Sequence, residues 1–106
     1  MATPEAKVKA AIRRWLKAND VWFCMPIGTG FGTAGVPDFV CCWRGQFLAI
    51  EAKAPGKRTN TTALQDYQIA AIHAAGGVAV VVDDAAQLEL IGATLAAQQG
   101  QRHAQE

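Results

Sequence analysis

Two strand-like runs, PDFVCCW (residues 37–43) and QFLAIEAK (residues 46–53), are separated only by Arg44-Gly45, and no other stretch constrains the fold as tightly. Aromatic and β-branched residues favour extended backbone, and a two-residue link ending in glycine suits a tight reversal, so the spacing predicts an antiparallel hairpin. In such a hairpin Trp43 faces Gln46, and stepping outward brings Asp38 directly opposite Glu51. Directly opposed side chains have Cβ atoms about 5 Å apart, so two carboxylates placed there repel unless positive charge lies between them. Lys53 supplies one cation, two positions beyond Glu51 and on the same face.

A divalent metal would supply the other. Hard cations such as Mg²⁺ take oxygen ligands, usually one or two carboxylates with waters and a substrate phosphate, and a neighbouring lysine can orient an attacking water and stabilise charge on phosphate. The chemistry implied is phosphodiester hydrolysis. The alternative is a surface hairpin whose Asp, Glu and Lys form an exposed salt bridge.

The flanking sequence predicts an α/β domain. Thr3 and Pro4 offer an N-cap and a first-turn proline, and Asn19-Asp20 ends the apolar period, giving a helix over residues 4–18. A short strand follows at Val21–Met25, then the glycine-rich loop IGTGFGTAG, the hairpin, a polar loop PGKRTNT, and a helix TALQDYQIAAIHAA closed by Gly76-Gly77. VAVVV (residues 78–82) reads as a buried strand suited to parallel pairing, and Asp83-Asp84 as the cap of a last helix running to about Ala97. The order α-β-β-β-α-β with a C-terminal helix implies a central mixed sheet in a single domain spanning residues 1–106, with 98–106 a frayed tail.

With these elements in place, Gly35-Val36-Pro37-Asp38, twelve residues, then Glu51-Ala52-Lys53 resembles the PD-(D/E)xK nuclease signature, and residues 4–82 resemble its VRR-NUC branch, found in small phage proteins and structure-selective repair nucleases. The resemblance implies a restriction-endonuclease-like core in which Asp38, Glu51 and the Ala52 carbonyl bind Mg²⁺ or Mn²⁺ while Lys53 serves the water and the transition state. It also makes Glu5 the helix glutamate completing the acidic cluster, and Gln65 the helix glutamine beside the site. The helical wheel independently turns Glu5 towards Ile12 and Leu16, although a first-turn acid also suits the helix dipole. Thr62-x-x-Gln65 equally reads as a capping box, and Gln68 shares a side of the helix with Gln65, so spacing leaves the glutamines open. The implied function is a metal-dependent endonuclease on DNA, selective for branched or four-way (Holliday) junctions, acting as a homodimer in the cytoplasm, the host's if phage-encoded. A non-catalytic DNA-binding module on the same scaffold is the alternative, disfavoured because opposed carboxylates repel phosphate.

Ten Lys and Arg against nine Asp and Glu give a net charge of +1, so bulk charge makes no case for nucleic acid. Local candidates remain for DNA phosphates: Lys7 and Arg14 on the basic face of the first helix, which also carries Lys9, Arg13 and Lys17, then Arg44 at the hairpin tip and Lys57 and Arg58 in the polar loop. Cys24, Cys41 and Cys42 lack metal or redox spacing and read as buried, reduced thiols. Trp22, Phe23, Cys41 and Trp43 are candidates for core packing or a dimer interface. Gly30-x-Gly32-x-x-Gly35 matches a dinucleotide fingerprint in form only, because it leads into a strand and not a helix. The start MATPEAKVKAAIRRW has no apolar run like a signal peptide's, and no membrane span is expected.

Overall fold

The fold was analysed in a computed structural model that describes residues 2–28 and 32–105, with side chains described to residue 100. The chain order is α1 (Pro4–Ala18), β1 (Trp22–Cys24), β2 (Phe39–Trp43), β3 (Gln46–Ala52), α2 (Ala63–Ala74), β4 (Val78–Val82) and α3 (Gln87–Gln105). The four strands form one mixed sheet in sequence order, β1/β2 and β2/β3 antiparallel and β3/β4 parallel. This is the expected α/β architecture.

The hairpin has the predicted register, running from Trp43 opposite Gln46 to Phe39 opposite Ile50. Arg44 (φ 51°) and Gly45 (φ 78°) both sit in the left-handed region, the geometry of a type I′ turn, whose twist matches that of the paired strands. Strand alternation then divides the sheet. Phe39, Cys41, Leu48, Ile50 and Ala52 join one apolar cluster with Val8, Ile12 and Leu16 of α1 and Leu88 and Leu95 of α3. Burying Phe39, Ile12, Leu16 and Ile50 completely contributes about 1.5–3 kcal/mol each. Glu51, out of phase with this set, points to the opposite face, where α2 lies.

α1 begins as expected, with the Thr3 hydroxyl accepting from the Ala6 amide at 3.1 Å and Pro4 in the first turn. Three readings change. α3 is wound to Gln105, past the end near Ala97 that the apolar stripe suggested. β4 is an edge strand and only partly buried, since among the described residues no fifth strand covers its outer side. Cys24 and Cys42 are exposed and only Cys41 is buried, because the first two lie on the sheet face that the core does not use. Burial pushes the Cys41 thiol up to about 12, with Cys24 adding to the shift. Phe23 and Trp43 pack against the core, whereas Trp22 is 62% exposed. Thr29, Gly30 and Phe31, central to the formal dinucleotide fingerprint, lie outside the described residues. No described helix is long and apolar enough to cross a membrane.

One close approach ties the glycine-rich loop to α2. Gly35 has φ 78°, and a Cβ placed on it would lie 2.5 Å from the Leu64 carbonyl oxygen. The Gln68 amide donates to the Ala34 carbonyl at 3.3 Å and holds the same segment. Gly35→Ala is therefore expected to lower unfolding free energy by about 1–3 kcal/mol. Urea unfolding followed by circular dichroism measures that loss.

Candidate active site

The hairpin ends at the point where Asp38 enters β2 and Glu51 leaves the core of β3. The Asp38 Oδ2 accepts from the Ala52 amide at 2.9 Å, continuing the cross-strand register one step beyond Phe39–Ile50. A residue in an extended strand presents its N–H and C=O to the same edge, so the Ala52 carbonyl faces the Asp38 side as well. Lys53 turns to the other neighbour, its amide donating to the Val82 carbonyl at 2.9 Å. The carboxylate pair is thus fixed by backbone on both sides.

Glu51 is 4% exposed, the one buried charged side chain among the described residues. Burial and the neighbouring Asp38 charge push its carboxyl up to about 7, against the opposing pull of Lys53. Its polar needs are met from α2. The Gln65 Nε2 donates to Glu51 Oε1 at 2.9 Å, and the Lys53 ammonium lies 4.0 Å from the same oxygen. The Lys53 Nζ in turn donates to Gln65 Oε1 at 3.0 Å, its side chain only 12% exposed.

Gln65 also closes the helix. Its Oε1 accepts from the Thr62 amide at 2.9 Å while its own amide donates to the Thr62 hydroxyl at 3.2 Å, completing a capping box. The two readings that spacing left open are therefore both present in one side chain. Two donors meeting Oε1 also fix which end of the amide is oxygen. Gln68 serves the loop instead, through Ala34.

Glu5 stands on the Asp38 side of the hairpin end and is linked to it through a lysine. The Lys9 ammonium stands between it and the hairpin, 3.6 Å from Glu5 Oε2 and 3.3 Å from Asp38 Oδ1. Burial lowers the Lys9 pKa, but Asp38 first and then Glu5 outweigh that and leave it raised. Sequence reasoning placed Lys9 on the solvated basic face. Its position one turn after Glu5, about 40° away on the wheel, was the signal that it belongs with the acids.

Among the described residues no three His, Cys, Asp or Glu side chains gather into a closed metal cage. What is present is an opposed carboxylate pair plus a main-chain carbonyl, an all-oxygen donor set. This suits a hard divalent cation of the Mg²⁺ type, which keeps several waters and takes few protein ligands. A buried glutamate and a half-buried aspartate that repel each other further favour a cation between the two groups.

The proposed phosphate contacts disperse. Arg44 stacks on Trp43, 4.9 Å from the ring centroid, at the hairpin tip, about 20 Å along the strand from Asp38. Arg58 pairs with Asp83 at 3.5 Å, and Asp83 also accepts from the Gly56 amide at 2.8 Å, so this basic loop is pinned to the start of the β4–α3 connection. Those bonds, from Gly56 and then from Gln87, hold the Asp83 carboxyl below its usual range. Lys57 and Arg14 are exposed, and Lys7 lines a groove with Pro4, Pro55 and Asp84.

The raised Glu51 pKa gives a signed prediction for the metal-free protein. The folded state holds this proton more tightly than the unfolded chain, whose value is the ordinary 4.5, so the contribution is full below that pH and is lost as pH rises through about 7. Urea unfolding in chelator at about pH 5 and about pH 8 should show this loss in the wild type and a smaller one in Glu51→Gln. The double use of Gln65 gives another. Thr62→Ala should cost about 1 kcal/mol as a lost cap. Gln65→Ala should cost about 1–3 kcal/mol more, because it also strips partners from Lys53 and Glu51.

No family model matches the sequence, and no curated protein matches it. Among solved structures, one titled "VRR_NUC domain" superposes with a TM-score of 0.65 at 22% identity, over 85% of this chain and 95% of that one. At that identity the likeness is one of backbone architecture, and the chain has the fold of that VRR_NUC domain.

Proposed function

We propose that the protein is a metal-dependent endonuclease that hydrolyses DNA phosphodiester bonds. The observation that carries this reading is the opposed pair Asp38–Glu51, joined through the Ala52 amide and backed by a largely buried Lys53. An exposed salt bridge, the bland alternative, does not account for a buried glutamate held by a glutamine from another element.

Asp38, Glu51 and the Ala52 carbonyl would hold Mg²⁺ or Mn²⁺. Bound there, such an ion supplies Lewis acidity towards a phosphate oxygen and lowers the pKa of a coordinated water. Glu51 would hold the ion as a carboxylate, so its raised pKa would make ion binding pH-dependent. Lys53, kept in place by Gln65, presents its ammonium beside the carboxylate pair, where it can orient the attacking water and stabilise charge on the phosphate. Gln65 is a positioning residue for both. Glu5 reaches the site only through Lys9 or water.

Each chain carries one such site, so cutting both strands of a branched or four-way junction calls for two copies, and the reading extends to a homodimer on that substrate. Lys7, Arg14, Lys57 and Arg58 would contact flanking phosphates, each adding to the salt dependence of binding.

Cleavage of a panel of single-stranded, duplex, flap and four-way-junction DNA, in Mg²⁺ or Mn²⁺ against chelator, tests the proposal. Metal-dependent cutting is expected, and Asp38→Ala and Lys53→Ala should each reduce it by at least about a hundredfold. Binding without cleavage, unchanged by both substitutions, would favour a DNA-binding module instead.

A further inference from the structure

We infer that Lys9 is a tethered counter-cation of the carboxylate cluster, which keeps Asp38 and Glu5 in place without metal and which a divalent ion must displace. The inference rests on reading Asp38 and Glu51 as the cation site, and it goes beyond that reading in giving α1 control over the ion's affinity.

The geometry restricts what Asp38 has to offer. One of its oxygens, Oδ2, is committed to the Ala52 amide at 2.9 Å, and the other, Oδ1, faces the Lys9 ammonium at 3.3 Å. A metal using the Asp38 side chain is therefore best served at Oδ1, where it meets Lys9, and at either oxygen of the same carboxylate the two cations repel. Lys9 is not a bystander of the surface, since its side chain is two-thirds covered and it bridges to Glu5 at 3.6 Å on its own helix. Glu5 gives the ammonium a second anchor, one that lies outside the carboxylate pair. When an ion enters at Asp38, Lys9 can swing to Glu5 without losing every partner, because residues one helical turn apart are neighbours.

The consequence is a trade. Without metal, Lys9 from α1 and Lys53 just after β3 flank the acidic pair and relieve its repulsion. With metal, the Lys9 charge is superfluous at Asp38 and weakens binding of the ion.

Mn²⁺ titration calorimetry on the full chain, paired with thermal melts in chelator and in saturating Mn²⁺, tests this. Lys9→Gln should bind Mn²⁺ about threefold to tenfold more tightly than the wild type, while Lys9→Arg, which keeps the charge, and Lys17→Gln, which removes one from an exposed site on the same helix, should not tighten it. Lys9→Gln should also melt lower than the wild type in chelator and converge with it in Mn²⁺. Equal or weaker Mn²⁺ affinity in Lys9→Gln, with the wild type binding normally, overturns the counter-cation role and leaves the nuclease reading standing. Absence of Mn²⁺ binding in every variant overturns both.

Discussion

A carboxylate buried near the end of a largely apolar strand is the constraint around which this molecule is arranged. Glu51 lies between Ile50 and Ala52, both fully enclosed, so the strand cannot shift outward to wet the acid without exposing the core. Taking such a group from water costs several kcal/mol unless partners replace the lost hydration. Two groups supply them, Gln65 from the first turn of α2 and Lys53 two residues on, just past the end of β3, while Asp38 beside β2 adds a like charge. The hairpin register, the crossover helix and the parallel return of β4 can each be read as a requirement for bringing one of those groups into position.

The fold was largely legible because its signals are local. A two-residue link with a glycine fixes the β2–β3 register, and register alone put Asp38 against Glu51. The cap of α1 and the capping box of α2 likewise need only neighbours in sequence. What escaped depended on contacts across elements. Lys9 looks like one more solvent-facing base of α1 until the hairpin end arrives beside it. Gln65 posed a choice between cap and site that spacing could not resolve, and the structure needs no choice. The exposure of Cys24 and Cys42 follows from their place on the sheet face that the core does not use, which composition does not encode.

Positive charge is distributed in a similar two-level way. The cations of the site, Lys9 beside Asp38 and Lys53 beside the buried Glu51, sit within 4.0 Å of a carboxylate oxygen. Arg44 and Arg58 are engaged elsewhere, one on an indole face and the other with Asp83, so the net charge of +1 conceals a local neutralisation. A substrate polyanion would meet a site already balanced by lysines, and its attraction would depend on how those lysines are reassigned.

The shared use of Gln65 ties the site to the local stability of one helix end. Terminal turns open more readily than the core, and here the opening of the first turn of α2 would withdraw the amide that spans Lys53 and Glu51 at the same moment as it releases Thr62. The fraction of molecules with an assembled site is then the fraction with that turn wound. Competence in this small domain is therefore a population governed by fraying, set by a threonine whose own side chain touches neither acid nor lysine.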